Sequence, residues 1–150
     1  MSHGDREHWN ERWRARGTTA PHRSSLLELV DPWLPPTGRA LDVAGGGSGD
    51  AVQLARRGLT TTVVDVSDVA LEAARVRAAE AGVELRTVRA DLATDPLPTG
   101  PWQVITVSDY LQRDLFDPIC AQLAGGGLLA VVVATTTNLE RHRRPGARHL

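Results

Sequence analysis

The chain contains no lysine. It therefore has no ε-amine for a Schiff base, and it cannot build the phosphate loop in which a lysine reaches the β- and γ-phosphates. Cysteine is nearly absent as well, with Cys120 alone. An internal disulfide is excluded, and this usage fits a reducing, cytoplasmic setting. The five histidines, at positions 3, 8, 22, 142 and 149, all lie near the ends. With one cysteine beside them, no Cys/His metal site is expected. A Ser-His-Asp hydrolase would need a terminal histidine folded back onto the middle of the chain. No apolar run approaches the ~20 residues of a membrane-spanning helix, and Met1-Ser-His-Gly-Asp-Arg-Glu7 lacks the apolar core of a signal peptide. An excess of charge of either sign is lacking too. A net charge of −1 supplies no general attraction to nucleic acid or to an acidic membrane.

What is present is an ordinary globular composition, 41% apolar and 23% charged over 150 residues, enough to bury a core in one domain. Its organising stretch is Arg39-Ala-Leu-Asp-Val-Ala-Gly-Gly-Gly-Ser-Gly-Asp50. A short apolar run carrying Asp42 is followed by glycines at 45, 46, 47 and 49 and then by helical periodicity. The order reads as strand, tight turn, helix. Glycines there let the backbone approach a ligand, and the amides at the helix start face whatever binds.

Taken in order, residues 5–16 predict an amphipathic helix with Trp9 and Trp13 on one face. The pair either packs on the domain or closes over a ligand, and the two roles are compatible. A linker at Gly17–Pro21 leads to Ser24 and Ser25, which suit capping of a helix through Leu26, Leu27, Leu29 and Val30. Strands are expected at 39–43, 60–66, 83–89, 102–107 and 128–134. Helices are expected after the glycine turn, after Ser67, and over 112–124, with Gly125-Gly-Gly127 introducing the last strand. Alternation of strand and helix means βαβ units and a parallel sheet. The run Leu128-Leu-Ala-Val-Val-Val-Ala134 has no polar position, as for a strand covered on both faces. The expected division is a helical lid over 1–36, a core over 37–134 and a polar tail over 135–150. Arg141-His-Arg-Arg144 is read as part of that solvated tail.

In a doubly wound sheet, ligands bind at the carboxyl ends of the strands. Three strands here end at or just before an acid: Asp65, Asp91, and Asp109 after Ser108. A carboxylate in the place of Asp65 can take both hydroxyls of a ribose. A dinucleotide would meet repulsion between its pyrophosphate and Asp42, and its glycine frame would fall on Ala44, Gly46 and Gly49. A cationic nucleoside such as S-adenosylmethionine suits that acid instead.

Leu41-Asp-Val-Ala-Gly-Gly-Gly-Ser-Gly49, Val63-Val-Asp-Val-Ser67 and Arg89-Ala-Asp-Leu92 together resemble the first three motifs of class I S-adenosylmethionine-dependent methyltransferases. Trp9-Asn-Glu-Arg-Trp13, Tyr110-Leu-Gln-Arg113 and Asn138-Leu-Glu-Arg141 are similar to segments of the tellurite-resistance and thiopurine methyltransferase-like branch. The resemblance covers nearly the whole chain. It implies a Rossmann-like, doubly wound, mostly parallel α/β sheet of about five strands. It also implies that Asp42 and the turn Ala44, Gly45, Gly46, Gly47 hold the methionyl part of the cofactor, and that Asp65 with Val66 holds the ribose. Asp91 and Leu92 would hold the adenine, with Ser108 on the methyl-donor side. The motif's glycine frame falls on Ala44, Gly46 and Ser48, and the family's usual last two strands have no counterpart here.

The expected activity is methyl transfer to a small-molecule acceptor by in-line displacement, with no metal, nucleic acid or membrane involved. Asp109 and Tyr110 are the candidate general bases by position, and Arg113 is placed to orient an anionic acceptor. A bare apolar fifth strand at the sheet edge suggests cover by another chain or a second copy, or a truncated form of a longer enzyme. The alternatives are a truncated or degenerate module that binds the cofactor without catalysis, and an NAD-dependent oxidoreductase, which Asp42 disfavours.

Overall fold

The computed structural model describes residues 3–16, 26–46, 49–110 and 112–133. Residues 1–2, the linker Gly17–Pro21, the cap candidates Ser24 and Ser25 with the rest of 17–25, Gly47, Ser48, Leu111 and the tail beyond 133 lie outside them. The first helix, α1, spans His3–Arg16, followed by α2 at Leu26–Val30 and a single 3-10 turn at Asp31–Trp33. Strand β1 is Arg39–Val43, α3 is Asp50–Arg56 and β2 is Thr60–Asp65. Then come α4 at Asp68–Glu80, β3 at Arg86–Arg89 and β4 at Trp102–Ser108. A 3-10 turn at Arg113–Leu115 leads into α5, Phe116–Gln122, and β5 is Leu123–Val132.

All strand pairs are parallel, in the order β3-β2-β1-β4-β5. The chain thus runs outward from β1 to β3, then crosses back to place β4 on the other side of β1. Side chains on a strand alternate faces, and the core divides accordingly. Leu41 and Val43 of β1 join Val64, Ile105 and Val107 in the cluster that includes Leu115 and Ile119. Ala40 joins Val104, Leu54, Leu59 and Leu27 on the opposite face, and Val63 packs there with Ala51 and Leu71. By the same alternation Asp42 and Asp65 point to the face that carries α3 and α4. That parity puts the acids beside the glycine turn.

Local chemistry explains most element ends. Ser67 caps α4 by accepting from Ala70 N at 3.2 Å. Both α3 and α4 close on a left-handed glycine, Gly58 and Gly82. In each, the next residue bonds back into the helix, Leu59 N to Leu54 O and Val83 N to Ala78 O. Val83 is therefore spent on closing α4, and β3 is confined to residues 86–89 rather than beginning at 83.

The carboxyl half of the chain departs from the sequence expectation in two places. Helix α5 stops at Gln122, and β5 begins before the three glycines rather than after them. Leu123 pairs with Trp102 and Leu128 with Val104, so the glycines form a bulge inside the ladder. Gly126 has φ +73°, and a Cβ on Gly127 would lie 2.8 Å from Ala124 O. Strand β5 has α2 and α5 packed on it yet is only partly buried. Only Ala130 of it is buried, because β5 is the outer strand of the described sheet. The opposite edge, β3, carries Arg86 and Arg89, the kind of charge that blunts an edge.

Candidate functional site

The sheet order reverses between β1 and β4, and ligands of open parallel sheets bind outside that reversal. The backbone marks the place. Among the described residues, the non-glycine residues with positive φ are Ala44, at +53°, and Asp109, at +56°. One follows β1 and the other follows β4. Both still donate to the sheet, Ala44 N to Val64 O and Asp109 N to Val132 O, each at 2.8 Å. Strain of this kind persists where surrounding structure enforces it, and it clusters at functional sites.

Asp42 is fully buried on β1. Thr106, directly across on β4, donates its hydroxyl to Asp42 Oδ1 at 2.8 Å. The turn folds back over this carboxylate so closely that a Cβ on Gly45 would stand 2.0 Å from Oδ2. On Gly46 a Cβ would lie 2.7 Å from Ala70 Cβ. Glycine at both positions is a requirement of close approach.

Asp65 closes the same turn from β2. Its Oδ2 accepts from Gly46 N at 3.2 Å and its Oδ1 from Ser67 N at 2.9 Å. Burial raises its pKa above the ordinary carboxylate value, against the pull of backbone donors at Ser67, Gly46 and Val66. A carboxylate has about four acceptor sites, so these backbone donors do not exhaust its capacity for a ligand's hydroxyl. From behind, Arg77 of α4 donates to Gly46 O at 3.2 Å. Burial pulls its guanidinium pKa down, against the attraction of Glu80.

Asp91 lies beside this group, one residue beyond Ala90, whose N–H bonds to Asp65 O at 3.0 Å. Its carboxylate accepts from Ala93 N at 3.0 Å, and its N–H donates to Asp95 Oδ2 at 2.8 Å, which builds the turn after β3. Leu92 is 3% exposed and belongs to the core cluster; its carbonyl accepts from Gln112.

On the β4 side, Ser108 donates to Asp50 Oδ2 at 3.0 Å. Asp50 is the first residue of α3, where a carboxylate interacts favourably with the helix amides. Asp109 is exposed, and the N-cap position of the next turn falls on Gln112 instead. Tyr110 is half-buried and donates to Gln112 Oε1. Its pKa is pushed up to about 12, first by burial and then by the charges of Asp91, Asp114, Asp65 and Asp5. A phenol in that state is a hydrogen-bond donor at neutral pH.

Asp5 belongs to α1, so this helix reaches the same rim. It packs on α4, with Arg6 bonded to Asp68 and Asn10 to Ser67. A cavity of about 500 Å³ runs along it, lined by Arg6, Glu7, Asn10, Glu11 and Arg14. A second hollow, lined by Gly58, Thr60, Glu84 and Arg86 among others, lies at the amino ends of β2 and β3, the wrong end for a switch-point ligand.

The structure thus gathers Asp42, Ala44, Gly45, Gly46, Asp65 and Val66 around one turn, with Ser108, Asp109 and Tyr110 after the neighbouring strand. Gly47 lies outside the described residues. Sequence reasoning missed Thr106, Asp50, Arg77 and Asn10. Asp50 had a signal, an acid at the start of a helix after a glycine turn. Asn10 had a weaker one, as the uncharged polar residue within Trp9-Asn-Glu-Arg-Trp13, and Arg77 had none. No helix among the described residues is long and apolar enough to cross a membrane. No His, Cys, Asp and Glu cluster among them could hold a metal ion.

Comparison with known proteins follows the same lines. Residues 40–127 match the family described as methyltransferase domain. No curated protein sequence matches. Among solved structures, the chain is similar to an S-adenosylmethionine-dependent methyltransferase from Clostridium acetobutylicum, with a TM-score of 0.64 and 19% identity over 77% of this chain and 50% of that one. It is similar to a TehB-like SAM-dependent methyltransferase from Corynebacterium glutamicum, with a TM-score of 0.61 and 20% identity over 87% and 73% of the two chains. A third, the S-adenosylmethionine-dependent methyltransferase SibL, is 33% identical over 70% of this chain and 35% of that one, with a TM-score of 0.55. The chain therefore spans half the length of the Clostridium protein.

Proposed function

The chain belongs to the methyltransferase domain family, and from that premise we propose that it binds S-adenosylmethionine at the β1–β4 switch point and transfers its methyl group to a small-molecule acceptor. The observation that carries this reading is the glycine turn folded between two buried carboxylates, Asp42 and Asp65. A cationic sulfonium and ammonium fit that charge, whereas a pyrophosphate would be repelled by it. The donor set fits the nucleoside as well, since Asp65 retains acceptor capacity for a ribose hydroxyl.

When bound, the cofactor supplies an electrophilic methyl group on a good leaving group. The protein's own contribution is then mainly alignment. Asp42 and the turn 44–47 hold the methionyl part, Asp65 and Val66 the ribose, and Asp91 and Leu92 the adenine side. Ser108, fixed by Asp50, borders the methyl. Tyr110, with a pKa of about 12 and its proton given to Gln112, stays protonated, which leaves the exposed Asp109 as a side chain placed to take a proton. Helix α1 serves as a lid over the site. The segment Trp9-Asn-Glu-Arg-Trp13 supports a place near the tellurite-resistance-like branch.

Calorimetric titration tests the reading. S-adenosylhomocysteine is expected to bind and NAD is not, and Asp65→Ala is expected to weaken the former by about 1–3 kcal/mol. Binding of NAD alone overturns the proposal. Binding of S-adenosylhomocysteine without methyl release to any acceptor identifies a non-catalytic module.

A further inference from the structure

Helix α1 contributes no apolar side chain to the three core clusters. Its buried residue is a polar one, Asn10, at 8% exposure. Trp9 and Trp13 are only half-buried, and Trp9 is occupied with His8 and Arg12 of its own helix. Two polar links from α1 to the domain fall on one short stretch, Ser67 and Asp68. Asn10 Oδ1 accepts from Ser67 Oγ at 2.5 Å, and Arg6 bonds to Asp68, which Arg89 also approaches at 3.4 Å.

Ser67 is fully buried, and both of its donors are engaged. Its hydroxyl donates to Asn10 and accepts from Ala70 N, while its backbone N–H donates to Asp65 Oδ1. A hydroxyl has one proton to give, and Asn10 is where that proton goes. The other oxygen of Asp65 takes Gly46 N. A continuous series of hydrogen bonds therefore runs from α1 through Ser67 and Asp65 to the glycine turn.

We propose that Asn10 is a positioning residue for the cofactor site, and that docking of α1 and binding of the cofactor are coupled through Asn10, Ser67 and Asp65. The proposal rests on the reading that the cofactor binds at this turn. Asn10 anchors the Ser67 side chain and so holds the residue whose backbone N–H bonds Asp65 Oδ1, and an ordered carboxylate meets the ligand with less left to arrange. An element held by few buried apolar contacts opens at low cost, so α1 can respond to the ligand. Coupling between two binding equilibria is reciprocal. The cofactor must then hold α1 down by the same factor by which α1 tightens the cofactor.

The test uses the full chain and S-adenosylhomocysteine. Calorimetry on the unaltered protein comes first, and no binding there sinks the cofactor reading itself. Given binding, Asn10→Ala is expected to raise Kd about tenfold, within the usual range of coupling. Asn10→Asp keeps the acceptor oxygen for Ser67 and is expected to stay within about threefold. In hydrogen exchange, the ligand is expected to slow the α1 amides of the unaltered protein about tenfold and those of Asn10→Ala hardly at all. A purely structural asparagine would leave the ligand's effect on α1 intact. If Asn10→Ala does not fold, Arg6→Ala breaks the neighbouring link to Asp68 and is read the same way. An unchanged Kd in the variant that folds, or α1 exchange indifferent to the ligand, overturns the proposal.

Discussion

Ala44→Gly should stabilise this protein, an unusual outcome for a change at a ligand-binding turn. Ala44 has φ +53°, where the Cβ of an L-residue crowds the following carbonyl at a cost of about 1–2 kcal/mol. Glycine adopts the same angle freely but adds about 0.4–1 kcal/mol of conformational freedom to the unfolded chain. The difference is a net gain of up to about 1.6 kcal/mol, or up to about 6 °C in Tm for a chain of this size. The neighbouring position predicts the opposite. A Cβ on Gly45 would lie 2.0 Å from Asp42 Oδ2, so Gly45→Ala must push the carboxylate away from Thr106 or break the turn. Loss of a buried, charged hydrogen bond costs on the order of 1.5–3 kcal/mol. Urea unfolding of the two variants beside the unaltered chain measures both. A fall in stability for Ala44→Gly, or an unaffected Gly45→Ala, refutes the geometry assigned to the turn.

Two further outcomes follow from the titrating groups. Burial holds the pKa of Asp65 above 3.8, so the stability linked to its protonated form is complete below pH 3.8 and is lost as pH rises through the folded value. Hydroxyl donors favour the carboxylate, so S-adenosylhomocysteine should release a proton and bind more tightly as pH rises from that region. Calorimetry in buffers of different ionisation heat reads this, and flat affinity with no proton release removes the ribose from Asp65. Tyr110, at about 12, should add no limb to the rate profile between about pH 7 and 10, and Tyr110→Phe should cost less than about tenfold in rate, whereas a loss of ~10²–10⁴ would make it a general acid or base after all.

The strain at the switch point and the coupling proposed for α1 share a physical basis. Ala44 and Asp109 are held in left-handed backbone by ladder bonds to β2 and β5, and Asp65 is held by amides from two different loops. Each constraint comes from the protein's own backbone, so the site is built before a ligand arrives. Preorganisation of this kind lowers the ordering cost of binding.

What the sequence determined by itself was everything set by near neighbours. The β-branched run of β2, the serine cap of α4, and Gly58 and Gly82 closing two helices are all local chemistry, and β1 falls on the expected residues. The acids at the strand ends were legible too, because their place follows from the strand ends. Only the tertiary structure decided which partners those residues meet. Thr106 reaches Asp42 across 64 positions of chain and Ser67 reaches Asn10 across 57, and no periodicity encodes such pairs. The glycines at 125–127 read locally as the lead-in to the last strand, yet pairing with β4 absorbs them as a bulge. Composition made β5 apolar, but burial depends on neighbours, and an outer strand has one on a single side.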